Sequence, residues 1–194
     1  MNTITTTLAT VATFSDDSKK RYLLRKLWDQ NRPSLAIIML APSEASGVEL
    51  DSTTQLCLNN CARLGYGSVT IVNLFATLND FALHQAEDED PENLCFIVEA
   101  AANADQIIYA PGTGKVKNKA FQKRQEQVLT ALAPYEVKLC CLCGENGNAR
   151  LQHPLSPAVR VWHLSALKVS ELIQPPQDPT PPKKPRKKAA KSAT

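Results

Sequence analysis

Three turns of the chain carry polar side chains after runs of apolar residues. Residues 41–44 (APSE) follow the run LAIIML, Asn73 ends the run VTIVNL, and His153 lies in the late segment QHPLSP. A carboxylate accepts hydrogen bonds, an amide donates and accepts them, and an imidazole can do either near neutral pH. If these runs are parallel strands of one sheet, their carboxyl ends meet at one edge, where ligands bind. The sequence therefore predicts an active site at that edge.

The run at residues 35–40 is the central element of the predicted fold. Its six apolar residues include Ile37 and Ile38 and are followed by Pro42, a pattern typical of a strand buried on both faces. Further strands are predicted at residues 69–74, 106–110 and 137–143, with helices at residues 51–64, 91–104 and 119–133 between them. This alternation predicts an α/β fold, a three-layer α/β/α sandwich with a central, mostly parallel four-stranded sheet.

The remaining segments are expected to flank this alternation. Ser52 and Gln55 form a capping-box pattern at the start of the first helix, and Gly65 stands where that helix should stop. Residues 1–15 are expected to be irregular or to form an edge strand, and residues 19–29 to form a helix or a strand. Residues 159–164 are expected to form a short strand and residues 166–173 a last helix.

Length and charge distribution predict one domain followed by a basic tail. The chain has 194 residues, of which 43% are hydrophobic, and this suits one compact domain over residues 1–174. Residues 175–194 hold six basic residues against one acidic residue, a net charge of +5, so the +3 of the whole chain leaves −2 for the domain. Because this tail is also rich in proline, we expect it to be disordered and to bind a polyanion.

Composition also argues against several classes of protein. The sequence has no run of about 18 apolar residues, so no membrane span is predicted. The N-terminal segment lacks the basic residues that come before the apolar part of a secretory signal. The six cysteines are therefore expected to be reduced thiols in the cytoplasm. Cys57 and Cys61 fall on a predicted helix, and Cys140, Cys141 and Cys143 fall in a predicted buried strand. Because a buried free cysteine is an ordinary core residue, we expect no metal, cluster or other cofactor.

The chain resembles an uncharacterised bacterial domain family through motifs spread over most of the predicted domain. Members of that family carry R-Y-x-L-x-R-x-W-D, M-L-N-P-S-x-A, D-D-P-T, G-Y-G, N-L-F-A, D-P-x-x-N-D and H-P-L. The counterparts here are RYLLRKLWD at 21–29, MLAPSEA at 39–45, DST at 51–53, GYG at 65–67, NLFA at 73–76, DPEN at 90–93 and HPL at 153–155. Ala41 stands where that family usually has asparagine.

Three of these segments also resemble the uracil-DNA glycosylase superfamily. Its members show G-x-A-P-G or G-L-A-P-A after the first core strand, then a strand that ends in asparagine, and a late H-P-S-P. The counterparts MLAPSEA, TIVNLF and QHPLSP occur here in the same order. The resemblance implies a uracil-DNA glycosylase-like fold and hydrolysis of a base–sugar bond in double-stranded DNA, with the target base flipped out of the helix. No lysine nucleophile is indicated, so strand cleavage is not expected.

The same resemblance implies roles for residues at the predicted edge. Asp51 is expected to orient the attacking water, because the positive end of a helix keeps its carboxylate ionised. Glu44 is the other candidate acid. A carboxylate there stabilises the cationic sugar that forms as the bond breaks. Asn73 would read a base edge, and His153 would donate a hydrogen bond to the departing base. The remaining candidates for contact with the base are Ala41, Pro42 and Ser43.

Contacts with DNA are expected after His153 and in the tail. Leu155 is a candidate wedge in the minor groove, and Arg160 is a candidate phosphate contact. A flexible basic arm would hold a nearly neutral domain close to DNA through salt-sensitive contacts with phosphates. The residues of that arm are Lys183, Lys184, Arg186, Lys187 and Lys188. We expect a cytoplasmic, nucleoid-associated monomer.

Each of these roles has a structural alternative. Asp51 can simply cap its helix, Glu44 can be a solvated loop residue, and Leu155 and Arg160 can serve packing and surface charge. Asn73 can be a buried amide satisfied by backbone, and His153 can cap its loop. Two other functions also remain open. One is a non-catalytic nucleic-acid-binding module, which Ala41 favours, and the other is a nucleoside or nucleotide hydrolase or transferase. The sequence does not identify the base, and a modified base in phage DNA is as good a candidate as uracil.

Overall fold

A computed structural model of the chain describes residues 1–43, 45, 47–78, 90–113, 118–148 and 150–173. Within these residues, seven strands form one sheet in the order β1-β2-β4-β3-β5-β6-β7. The strands are β1 (Ala9–Phe14), β2 (Arg21–Leu27), β3 (Ser34–Met39), β4 (Ser68–Asn73), β5 (Gln106–Tyr109), β6 (Leu139–Cys143) and β7 (His163–Ala166). The α-helices are α1 (Ser52–Arg63), α2 (Pro91–Asn103) and α3 (Lys119–Leu132).

The α/β class is confirmed, but the predicted four-stranded, mostly parallel sheet is wrong in extent. The four predicted strands are the central ones, β4-β3-β5-β6, and they are mutually parallel. The strands β1, β2 and β7 add antiparallel pairings at both sides, so the sheet is mixed. The pattern of β2 was ambiguous because three of its seven residues are basic, whereas a central strand normally reads as an unbroken apolar run.

Helices cover both faces of the sheet. On one face, Cys57 and Cys61 of α1 pack in a buried cluster with β3 residues such as Leu35 and Ile37. On the other face, α2 and α3 pack on a second cluster that includes Ile38 of β3. These two faces are called the α1 face and the α2–α3 face below. Alternate residues of β3 thus enter opposite clusters, which explains the unbroken apolar run at residues 35–39.

The C-terminal part differs from the sequence prediction. The last strand is β7 at His163–Ala166, later than the predicted residues 159–164, and a 3₁₀ helix at Pro157–Val159 ends where that strand was expected to begin. The predicted last helix over residues 166–173 is wrong. Lys168 is extended and only the 3₁₀ turn Val169–Glu171 follows it. None of the described helices is both long enough and apolar enough to cross a membrane.

Substitution of Gly67 should destabilise the fold, because the chain after α1 packs its backbone against the turn after β2. A Cβ on Gly67 would lie 1.9 Å from the carbonyl oxygen of Asp29. We expect Gly67→Ala to lower the free energy of unfolding by about 1–3 kcal/mol or more, measured by urea denaturation. Gly47→Ala is the matched control, because a Cβ there has no atom within 4 Å. Equal stability of the two variants would contradict this packing.

Candidate active site

The carboxyl ends of the parallel strands lie along one edge of the sheet. Met39 at the end of β3 is in register with Asn73 at the end of β4. The backbone N–H groups of Leu74 and Phe75 donate to the carbonyls of Met39 and Leu40 at 2.8 and 3.0 Å. The turns that follow β3 and β4 therefore leave the sheet side by side.

Asp51 caps the N-terminus of α1 and is ionised at neutral pH. Its Oδ1 accepts a hydrogen bond from the backbone N–H of Thr54 at 2.8 Å. Burial alone would raise the pKa of the Asp51 carboxyl. Hydrogen bonds from Thr54 and Ser43 and the positive charge of Arg21 outweigh burial and hold the pKa below 3.8. The predicted cap at Ser52 is therefore wrong, and the capping alternative for Asp51 is the one observed. This cap also keeps the carboxylate charged.

His153 is half-buried and neutral at pH 7. The backbone N–H of Leu155 donates to its Nδ1 at 3.2 Å, so the ring also caps its own loop. A neutral imidazole with an accepting Nδ1 carries its proton on Nε2. Burial lowers the pKa of His153 below 6.5, and the negative charge of Asp51 offsets this only in part. The ring therefore offers an N–H donor from Nε2.

The structure brings Asp51 close enough to His153 for the negative charge of Asp51 to act on the pKa of the imidazole. The turn after β5 packs on the backbone and Cβ of His153. At Gly112 the backbone has φ +81°, and a Cβ there would lie 3.2 Å from Cβ of His153. Only a glycine gives both this backbone conformation and this close approach without strain. The site therefore draws on the start of α1, the turn after β5 and the loop after β6.

Asn73 lies on the α1 face at the same edge. Ile71 belongs to the cluster on that face, and residues two apart on a strand point the same way. Asn73 is only 1% exposed, and its side-chain Nδ2 has no hydrogen-bond partner among the described residues. Its backbone carbonyl accepts from the side chain of Asn93 at 3.0 Å. The alternative of an amide satisfied by backbone is thus not observed for Nδ2.

The other predicted site residues fall into three groups. In the turn after β3, Pro42 is buried, Ala41 and Ser43 are half-buried, and Ser43 contacts Asp51. Leu155 and Arg160 are exposed on the loop after His153. The remaining candidates lie outside the described residues: Glu44, Lys183, Lys184, Arg186, Lys187 and Lys188.

Sequence reasoning missed two buried basic residues of β2, Arg21 and Lys26, each 1% exposed. Arg21 Nη1 donates to the carbonyls of Ser43 and Ala45. Lys26 Nζ donates to the carbonyl of Gly47. Both side chains therefore hold the segment between β3 and α1. Lys26 shares a strand face with Leu24, and this period-two pattern was a usable signal for its burial.

The cleft between α2 and α3 does not include the candidate site residues Asp51, Asn73 and His153. It has a volume of about 680 Å³ and is lined by residues such as Leu94 and Gln127. It lies on the opposite side of the sheet from α1. Within the described part of the chain, no group of three His, Cys, Asp or Glu side chains is positioned to hold a metal ion.

Comparison with known proteins identifies the family. A family model described as a protein of unknown function (DUF1643) matches residues 21–155, so the chain belongs to that family. The matched range contains Arg21, Asp51, Asn73, Gly112 and His153. No curated protein and no solved structure matches the chain significantly.

Substitution of Gly112 should disturb His153 in addition to straining the backbone. We expect Gly112→Ala to cost about 1–2 kcal/mol of stability from its positive φ and to shift the NMR titration of His153. Gly147→Ala is the matched control, because Gly147 also has a positive φ, +74°, but a Cβ there has no atom within 4 Å. That variant should strain the backbone and leave the His153 titration unchanged. If neither variant shifts it, the packing of Gly112 on His153 is not significant.

Proposed function

We propose that this member of the DUF1643 family is a monofunctional DNA glycosylase with a uracil-DNA glycosylase-like fold, which hydrolyses the bond between a base and its deoxyribose. One observation carries the proposal. An ionised carboxylate, Asp51, and a neutral imidazole with its proton on Nε2, His153, lie close together at the carboxyl edge of the parallel strands. Cleavage of an N-glycosidic bond needs a negative group beside the sugar and a donor beside the base.

The role of Asp51 follows from the charge that develops on the sugar. As the bond between C1′ and the base nitrogen breaks, its electron pair leaves with the base, and positive charge spreads over C1′ and the ring oxygen. The carboxylate stabilises that charge and orients a water molecule, whose oxygen bonds to C1′ and whose proton passes to Asp51. The hydrogen bonds to Asp51 from Thr54 and Ser43 fix the carboxylate before the substrate arrives.

The role of His153 follows from the charge that develops on the base. The departing base gains negative charge, and an N–H donated from Nε2 stabilises it without transfer of a proton. Because burial lowers the pKa of His153, the ring is neutral at physiological pH and needs no proton from solvent. The hydrogen bond from Leu155 N–H to Nδ1 keeps the proton on Nε2.

Contacts with the flipped nucleotide complete the proposal. Asn73, at the end of β4, has a side-chain Nδ2 with no partner among the described residues, and this donor would bind an acceptor atom of the base. Leu155 is 46% exposed and adjoins the His153 loop, so it can act as the wedge that fills the space left by the base. The basic tail would supply affinity for double-stranded DNA that does not depend on sequence.

Ala41 favours a second candidate function, a nucleic-acid-binding module without catalysis. The residue stands at the start of the turn after β3, where an asparagine or aspartate positions water in some glycosylases. Alanine has no polar side chain for that task. The proposal that Asp51 takes over the task is therefore the point to test.

Substitution of Asp51 or His153 should abolish excision and preserve DNA binding. DNAs that differ in base modification are incubated with the full chain and treated with alkali, which breaks the strand at abasic sites. We expect Asp51→Asn to lower the rate about 10²–10⁴-fold and His153→Ala about 10²–10³-fold. Asparagine is also a good helix cap, so Asp51→Asn should keep its stability.

Asp90→Asn is the matched control, because Asp90 caps α2 through the N–H of Asn93 at 2.9 Å but lies outside the site. This variant should excise at the wild-type rate. Salt-dependent binding with no breaks in any DNA would support the non-catalytic module, and turnover of free nucleotides alone would support a nucleoside or nucleotide hydrolase. Full activity of both site variants would refute the assignment of Asp51 and His153.

A further inference from the structure

Arg21 reaches the α1 face because of an irregularity in β2. Thr13 of β1 pairs with Leu23, but the next residue, Phe14, pairs with Arg21, so Tyr22 is the extra residue of a β-bulge. In a regular strand, residues three apart point to opposite faces, and Arg21 would point away from Leu24. Instead, the ring of Tyr22 stacks on Phe96 of α2 at a centroid distance of 5.1 Å. The bulge thus turns Arg21 towards the segment between β3 and α1.

The surroundings of Arg21 compensate a buried positive charge. Its Nη1 donates to the carbonyl of Ser43 at 2.9 Å and to that of Ala45. Burial lowers the pKa of Arg21 to about 10, and the negative charge of Asp51 opposes that decrease. The guanidinium therefore stays protonated at neutral pH. A buried charge needs hydrogen bonds and an opposite charge to be tolerated. Nη1 has two carbonyl acceptors and Asp51 supplies the opposite charge, whereas the buried Nε has no partner among the described residues.

We infer that Arg21 is a positioning residue for Asp51: it anchors the turn that carries Ser43, and its positive charge favours the ionised carboxylate. Its carbonyl contacts fix the segment that carries Ser43, and Ser43 in turn donates to the Asp51 carboxylate. Its charge also acts on that carboxylate directly. Arg21 does not touch the reacting atoms. Its role in catalysis rests on the proposed function, whereas its effect on Asp51 does not.

Lys26 provides a matched comparison on the same strand. It is as buried as Arg21, at 1% exposure, and it anchors the same segment through the carbonyl of Gly47. Its Nζ also donates to Oγ1 of Thr10 at 3.0 Å. Burial alone lowers the pKa of Lys26, with no contribution from Asp51. A variant at Lys26 therefore tests the anchoring of the segment without the charge on Asp51.

The experiment measures the pKa of Asp51 by carbon-13 NMR titration of the carboxyl, assigned with the Asp51→Asn variant. Arg21→Gln keeps a hydrogen-bond donor and loses the charge, and we expect it to raise the Asp51 pKa. Lys26→Gln should leave that pKa unchanged, and Arg21→Lys, which keeps the charge, should leave it below 3.8. The rate of excision should fall tenfold or more in Arg21→Gln, which is about the effect of misplacing a catalytic group. Arg21→Lys should restore part of that rate.

Each outcome decides the inference. Equal shifts of the Asp51 pKa in Arg21→Gln and Lys26→Gln would overturn it, because Arg21 would then be only an anchor. If Arg21→Gln does not fold, Arg21→Lys decides, and an Asp51 pKa of 3.8 or higher in that variant would overturn the inference. If the wild-type chain excises no base but Arg21→Gln alone raises the Asp51 pKa, the proposed function fails and the inference stands.

Discussion

The site depends on a partly buried negative charge that the fold makes stable. Removal from water disfavours the ionised form of Asp51. The first turn of α1 stabilises that form through the hydrogen bond from the N–H of Thr54 and through the positive end of the helix dipole. Ser43 and Arg21 add a hydrogen bond and an opposite charge. Because these partners come from α1, the turn after β3 and strand β2, the carboxylate fixes three parts of the chain relative to each other.

The mixed sheet explains how these parts meet. Its four parallel strands bring the turns after β3, β4 and β5 to one edge. The antiparallel strand β2 runs beside β4 in the opposite direction, so its first residue, Arg21, lies at that same edge. A bulge then directs the guanidinium to the α1 face. A sheet of the four parallel strands alone would lack the buried cation that faces Asp51.

The parts of this arrangement differ in how well the sequence predicts them. The strand at 35–39 follows from its unbroken apolar run, and α2 follows from Pro91 in the first turn and the apolar residues after it. The start of α1 shows the limit of local patterns. Ser52 and Gln55 fit a capping box, yet Asp51 makes the cap, because its carboxylate accepts the hydrogen bond from the N–H of Thr54.

Contacts between distant segments were beyond a single sequence. The bulge at Tyr22 has no sequence signal, because β2 is rich in basic residues on both faces. Without the bulge, Arg21 would be expected on the face of the sheet opposite to Leu24. The packing of Gly112 against His153 is likewise a contact between segments that are distant in the sequence. The motif resemblance singled out Asp51 and His153 as candidates, but tertiary contacts are the physical reason for their proximity.

The most direct test of excision does not require knowledge of the base. It compares the affinity of the full chain for two duplexes, one with a pyrrolidine abasic nucleotide, which is cationic at neutral pH, and one with the uncharged tetrahydrofuran analogue. If Asp51 stabilises a cationic sugar, the wild type binds the cationic duplex about tenfold or more tightly than the neutral one, and Asp51→Asn loses this preference. Equal affinities in the wild type, or a preference that survives in Asp51→Asn, would contradict a role for Asp51 in base excision.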